Sequence, residues 1–226
     1  MMLVLNQYAF APKTGSDLTS SLRSRGIQRL LHFTLVDNLA SIIKYGLLGR
    51  TELEQRQLNY IYTDNKRLDG NPNAICLSIT SPNYKMFFSK RNSFSQLGYQ
   101  DSDWVVILLK PEVLLNLPAA FTFTNAADSR CRGQWQRHSS REAFEAMFYD
   151  EALRETLGLN PKQPTNPQAE IQVMRSIPSD WIDAIVCHPN ADIRKLQSVA
   201  GNLPVLPIYE AFAPRHDYSY WSVNYN

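Results

Sequence analysis

Three stretches of the 226-residue chain carry polar groups that a plain hydrophobic core would not choose. In Leu30-Leu31-His32-Phe33-Thr34, the imidazole of His32 and the hydroxyl of Thr34 fall two residues apart, so on a strand both project from one face. They could grip a polar ligand there, although a lone histidine on an apolar strand is more often a satisfied structural residue. The second stretch runs from Lys66-Arg67-Leu68-Asp69-Gly70 to Ser78-Ile79-Thr80-Ser81-Pro82-Asn83-Tyr84. Arg67 beside a turn is either a solvated charge or a group turned into a site, and the serines are either turn formers or ligands. The third is Pro167-Gln168-Ala169-Glu170-Ile171-Gln172-Val173, where a carboxylate opens an apolar strand directly after a proline-rich loop. Glu170 is there either as an edge charge or as a group held at the rim of a cleft.

Positioning these groups requires strands at each of the three places. The apolar run 30–34 reads as a strand. Asp37 and Asn38 can cap a helix after it, with Leu39, Ile42 and Ile43 at helical spacing and a stop near Gly46. Residues 49–74 are polar and read as loop, closing on Asp69-Gly70-Asn71-Pro72-Asn73. Ala74–Ile79 is a second strand, and Tyr84, Phe87 and Phe88 suggest a short helix. Trp104–Leu109 is apolar on both faces and is expected at the centre of a sheet. Ala120–Thr124 reads as an edge strand, Glu170–Met174 and Trp181–Cys187 as further strands, 192–200 as a helix and 204–209 as a late strand. The sum is an α+β chain built around short strands. It is read as one domain over 1–226. Residues 1–26 are expected to form a mobile arm, and 125–167 a substrate-facing insertion with a helix around 143–153.

Composition narrows the function. Hydrophobic residues make up 44% and charged residues 19%, which excludes a largely disordered chain. A net charge of +2 is too mild to mark a nucleic-acid binder by bulk charge, so any such site must rest on local placement. Cys76, Cys131 and Cys187 are odd in number and far apart, and match neither a disulfide framework nor a zinc spacing. No metal is expected, because the carboxylate clusters of a metal-dependent nuclease are missing. No apolar segment approaches a membrane span, and Met1-Met2-Leu3-Val4-Leu5 lacks the flanks of a signal peptide, so a soluble cytoplasmic protein is expected.

Taken together, "HFTLVDNLASIIKYGLL", "RLDGNPNAICLSITSPNYKMFF" and "NPQAEIQV" resemble the DarT family of toxin ADP-ribosyltransferases, which modify bases of single-stranded DNA. The similarity runs in order from about residue 30 to about residue 190. It implies the ADP-ribosyltransferase fold, a split β-sandwich of two small sheets with flanking helices and NAD+ as co-substrate in the cleft. Carried over by position, Glu170 is the catalytic glutamate and Arg67 the second catalytic residue, near the acceptor base. His32, Thr34, Ser78 and Tyr84 belong to the cofactor site, Tyr84 by stacking on nicotinamide, and Asn38 joins them unless it caps the following helix. Leu35 departs from the polar residue many relatives carry, which touches fine contacts in that site. The resemblance also implies a macrodomain antitoxin as partner, and thymine ahead of guanine as the acceptor.

The chemistry is consistent with these residue types. Breaking the ribosyl bond to nicotinamide develops positive charge on the ribose, and a carboxylate facing that charge favours the transition state over the ground state. Nicotinamide leaves neutral, so no strong acid is needed. The base must reach the cleft single-stranded or flipped. Within the insertion, Arg130, Arg132, Trp135, Arg137 and Arg141 combine cations with an aromatic, as phosphate contact and base stacking require, against the alternative of an ordinary helical insertion with solvated charges. An RNA acceptor, or a non-catalytic NAD-binding module within a toxin–antitoxin or phage-defence complex, are the competing readings.

Overall fold

The computed structural model describes residues 15–224 apart from Asn65. Its centre is a seven-stranded sheet in the order β4-β5-β2-β1-β3-β6-β7. The strands are β1 (Leu30–Leu35), β2 (Ile75–Ile79), β3 (Trp104–Leu109), β4 (Ala119–Thr122), β5 (Glu170–Val173), β6 (Ile182–Cys187) and β7 (Val205–Pro207). All neighbours are antiparallel except β6 and β7. As its unbroken apolar run predicts, β3 lies inside the sheet, and β4 and β7 are its edges. The helices are α1 (Gly15–Arg25), α2 (Leu39–Tyr45), α3 (Arg50–Gln55), α4 (Tyr84–Ser95), α5 (Val113–Asn116), α6 (Arg141–Ala146), α7 (Glu151–Thr156), α8 (Ile193–Ala200) and α9 (Tyr218–Asn224).

Alternation along the strands builds two cores. Leu30 of β1 and Val105, Ile107 and Leu109 of β3 face a large cluster with α1, α2, α5, α6 and α8. Leu31 and Leu35 of β1, with Trp104 and Val106 of β3, face a smaller aromatic cluster around Phe87 of α4 and Phe212. The expected sandwich of two small sheets takes a joined form. β1 and β2 share only two residue pairs, Leu30 with Ile79 and Leu31 with Ser78, whereas β1 and β3 share six. Beyond Leu31 the two strands part, and the sheet is split along that line without being divided.

Two expectations about the flanks change. Residues 15–25, read as part of a mobile arm, form α1, and Leu18 and Leu22 on one side of it are buried in the main core. Only two apolar residues anchor it, and a four-residue spacing is a weak periodic signal beside many serines. The remainder of that arm, residues 1–14, lies outside the described residues. The insertion's helix is two helices, α6 and α7, interrupted at Asp150, whose φ of 65° is left-handed and whose carboxylate caps α7 through Leu153 N at 3.0 Å. The polar stretch 49–74 contains α3, which buries none of its residues and so carries no apolar stripe. The predicted stop at Gly46 holds. Its φ is +84°, and a Cβ there would lie 2.1 Å from the Ile177 carbonyl oxygen, which pairs with Leu47 N.

Candidate active site

The parting of β1 and β2 opens a cleft. Its walls include Leu31 to Thr34 from β1, Ala74 to Ser78 around β2, the Tyr60–Asp64 loop, Arg67, Asn83 and Glu170. His32 spans the gap. Its Nδ1–H donates to the Cys76 carbonyl at 2.9 Å, standing in for the lost ladder bond. A carbonyl can only accept, so this contact fixes the tautomer and leaves Nε2 as an acceptor. Burial holds the imidazole below its ordinary pKa, and the Arg67 charge works in the same direction against the Cys76 hydrogen bond, so the neutral form is favoured.

Glu170 opens β5 beside the edge strand, opposite Thr122, whose Oγ1 donates to the Glu170 carbonyl at 3.1 Å. The carboxylate is buried, and its oxygens accept from Ala126 N at 3.0 Å and Asn83 Nδ2 at 2.9 Å, with Asn125 Nδ2 at 3.5 Å. Burial pushes the carboxyl up to about 7, against the Ala126 and Asn83 hydrogen bonds that favour the charged form. Glu170 borders two depressions. One is the β1–β2 cleft. The other is a neighbouring one walled by Lys66, Leu68 and Asp69, by Lys85, Ser89 and Lys90 of α4, and by Asn125 and Gln168. A single carboxylate can therefore face a ligand on either side.

Arg67 adopts a left-handed φ of 42° and turns inward. Its Nε and Nη2 grip the Asp69 carboxylate at 3.2 and 2.7 Å, Nη1 donates to Ala74 O at 2.9 Å, and Nη2 also donates to Asn71 O. Asp69 and Asn71 are tied in turn to Gln172, at 2.5 and 2.9 Å. Gln172 follows Glu170 by two residues on β5 and shares its face. One short strand thus sets both the carboxylate and, through Asp69, the guanidinium. Four of the five guanidinium N–H groups are committed to these contacts, which makes Arg67 a fixed charge rather than a proton acceptor. Cys76, between them, has its thiol pushed up to about 12 by burial and by the nearby Glu170 and Asp69 charges, so it stays protonated.

Among the expected cofactor residues, His32, Thr34, Asn38 and Ser78 all line the β1–β2 cleft. Asn38 does not cap α2 with its side chain. It donates to Thr34 Oγ1 and Ile61 O and accepts from Ile61 N, at 3.0, 3.0 and 2.8 Å, and so clamps the Tyr60–Asp64 loop over β1. Ser78 Oγ accepts from Asn83 N at 3.1 Å. Tyr84 departs from expectation. It is not in the cleft wall: its ring stacks on Phe88 and meets Tyr218 edge-on, because the first turn of α4 swings it towards the C-terminal helix. Sequence reasoning missed Asn83, which caps α4 through Met86 N at 3.2 Å while holding Glu170. An asparagine following a proline at a helix start was the available signal. Tyr60 was missed too; its hydroxyl is buried in the wall with no partner among the described residues.

The insertion's cations divide. Its opening residues adjoin the site, with Asn125 and Ala127 lining the second depression and Gly133 N donating to Asp69 O at 3.1 Å. Arg132 and Arg137 are exposed and Trp135 is half-buried. Arg130 is held by Asp128 through two bonds of 2.8 Å. Arg141 belongs elsewhere: it donates to Ser21 of α1 at 3.2 Å, and α1 contributes nothing to either depression. Arg141 is otherwise exposed. Among the described residues no group of three or more His, Cys, Asp or Glu gathers to hold a metal, and no helix is long and apolar enough to cross a membrane.

Glu170 thus stands where the sheet parts, between two adjoining depressions. Residues 31–218 match the family model described as DarT, ssDNA thymidine ADP-ribosyltransferase, and the chain belongs to that family. Among solved structures, Thermosipho africanus DarTG in complex with ADP-ribose is 19% identical with a TM-score of 0.58. That match covers 82% of this chain and 51% of the other, so the chain spans about half of that relative's length. Thermus sp. 2.9 DarT in complex with NAD+ is 16% identical, with a TM-score of 0.53 and coverage of 82% and 98%. The same protein with carba-NAD+ gives 16% and 0.52 at the same coverage. At these identities the likeness establishes the shared fold. No curated protein matches the sequence.

Proposed function

We propose that this chain transfers ADP-ribose from NAD+ to a thymine base of single-stranded DNA, with Glu170 as the catalytic carboxylate. One observation carries the reading: Glu170 is buried, aimed by Ala126 and Asn83, and shared by two adjoining depressions, as a group serving donor and acceptor must be. The β1–β2 cleft suits the dinucleotide. The Tyr60 hydroxyl, the Ser78 O–H and His32 Nε2 have no partner among the described residues and stand in its wall, matched to ribose hydroxyls and a carboxamide. The ribose C1′–nicotinamide bond breaks with its electron pair leaving on nicotinamide, and ionised Glu170 holds a ribose hydroxyl and faces the developing cation. The acceptor ring nitrogen then bonds C1′ and releases its proton, for which Glu170, with a pKa near 7, is a fitting acceptor. Arg67 positions the base and supports its anionic form without exchanging a proton. Exposed Arg132 and Arg137 and the half-buried Trp135 contact the strand from the insertion, and Arg130 contributes through its free edge. The product is undone by a macrodomain antitoxin, and both act in the cytoplasm.

The test is incubation with labelled NAD+ and separate pools of single-stranded DNA, RNA and protein, followed by mass spectrometry of the modified oligonucleotide. Label is expected on DNA thymine, reduced about 100- to 1,000-fold in Glu170→Ala. Label on RNA or protein alone, or unchanged labelling in Glu170→Ala, overturns the reading. Label on nothing makes the chain a binding module.

A further inference from the structure

We propose that an aromatic face made by Tyr84 and Phe88 of α4 and Tyr218 of α9 is a stacking platform for the nucleotides flanking the acceptor base. This rests on the reading above and extends it to a second contact with the strand. The Tyr84 and Phe88 rings lie 5.7 Å apart at 25°, and Tyr218 meets Tyr84 edge-on at 5.2 Å. Phe88 is 42% exposed and Tyr218 38%. Single exposed aromatics are ordinary on a protein surface, but rings from two elements assembled into one face are not.

Among the described residues the face belongs to neither hydrophobic cluster. α4 already buries Phe87 and packs Phe94 against Trp104 on its inner side. α9 is seated by other groups: Trp221 is buried, its Nε1 donates to Asp217 at 2.8 Å, and Asp217 pairs with buried Arg215. Arg215 in turn donates to the carbonyls of Pro164 and Thr165, a few residues before Glu170. Tyr218 is therefore held in place, with little ordering left to do when a base stacks on it.

Its position selects the occupant. Asn83, which holds Glu170, immediately precedes Tyr84, and Lys85 and Ser89 of the same helix line the depression that Glu170 shares. A strand that presents a base to Glu170 through this depression runs out past the first turns of α4, with Lys85 beside its phosphates and the ring faces beside its bases. Every base has a π-face, so such a platform is tolerant of sequence, and base–aromatic stacking contributes roughly five- to 150-fold per base.

The experiment measures affinity by fluorescence anisotropy with the full chain and two fluorescein-labelled single-stranded oligonucleotides, one long and of mixed sequence, the other limited to the acceptor thymine and its immediate neighbours. Phe88→Ala and Tyr218→Ala change exposed rings, and an unchanged melting temperature checks the fold. Each is expected to weaken binding of the long oligonucleotide at least about fivefold, with the short oligonucleotide and NAD+ bound as before, and Phe88→Tyr to restore it. Equal affinity of wild type and both variants for the long oligonucleotide overturns the platform alone. So does loss of binding to an antitoxin protein with DNA affinity intact, which would make the face a protein contact. A wild type that binds neither oligonucleotide overturns the platform together with the proposed substrate.

Discussion

Glu170 ties the catalytic proposal to a measurable titration. With its carboxyl raised to about 7, it is ionised in about one molecule in eleven at pH 6 and about ten in eleven at pH 8. A glutamate at its ordinary 4.5 is ionised at both. If the ionised form stabilises the ribosyl cation, kcat/KM for NAD+ rises about tenfold between pH 6 and pH 8 and levels off above it, because kcat/KM reports the free enzyme. Burial holds His32 below its ordinary value, which moves its titration towards the acid side of that window. The assay is initial transfer of labelled ADP-ribose to subsaturating single-stranded oligonucleotide across the range, so that the unliganded enzyme predominates. Asn83→Ser keeps a helix-capping oxygen but removes the amide that favours the charged form, so its midpoint moves upward. The same shift appears in folding. The folded state binds the Glu170 proton more tightly than the unfolded chain does, so this contribution to stability is complete below about pH 4.5 and is lost as pH rises through about 7. Its ceiling is about 3 kcal/mol, read as wild type against Glu170→Gln across pH. A kcat/KM that is flat from pH 6 to pH 8, or a midpoint that falls in Asn83→Ser, refutes the assignment.

Two further substitutions separate the roles of other residues. Arg67→Lys replaces a planar fork by a point charge and leaves the buried Asp69 with poorer partners, so stability falls by about 2–4 kcal/mol in denaturant titration and transfer drops more than about tenfold. Full activity would instead make Arg67 a simple charge. Leu18→Ala empties a fully buried position of α1 and is expected to cost about 2–5 kcal/mol, measured by thermal or chemical unfolding; a change under about 0.5 kcal/mol would return this segment to the status of a loose arm.

What could be read from the sequence was whatever depends on local order. β3 announces itself by six apolar residues in a row, α2 by its spacing and its glycine stop, and His32 and Thr34 by falling two apart on β1. What could not be read depends on groups distant in the chain. Asn83 reaches across 87 residues to Glu170, and Gln172 reaches 103 to Asp69. Before folding, each is only a polar side chain in an unremarkable place. The surroundings of Tyr84 were hidden for the same reason: Tyr218, its edge-on neighbour, comes more than a hundred residues later. Arg141 looked like one more cation in a basic stretch until Ser21 of α1 supplied its partner. The family resemblance supplied Glu170 and Arg67 by position, and it is the geometry that shows how they are connected.

That connection also explains why a short strand carries the site. Side chains two apart on β5 point to one face, so Glu170 and Gln172 move together with the strand, and Gln172 fixes Asp69 and hence Arg67. Carboxylate and guanidinium are thereby held in register by backbone pairing to β2 and β4 rather than by contact with each other. A direct ion pair would have pulled the Glu170 pKa down and spent both charges on each other. Satisfying Arg67 through Asp69 and carbonyl oxygens leaves Glu170 buried and raised, and on the proposed reading able to face a cation that forms only during the reaction, where a carboxylate already neutralised would contribute much less.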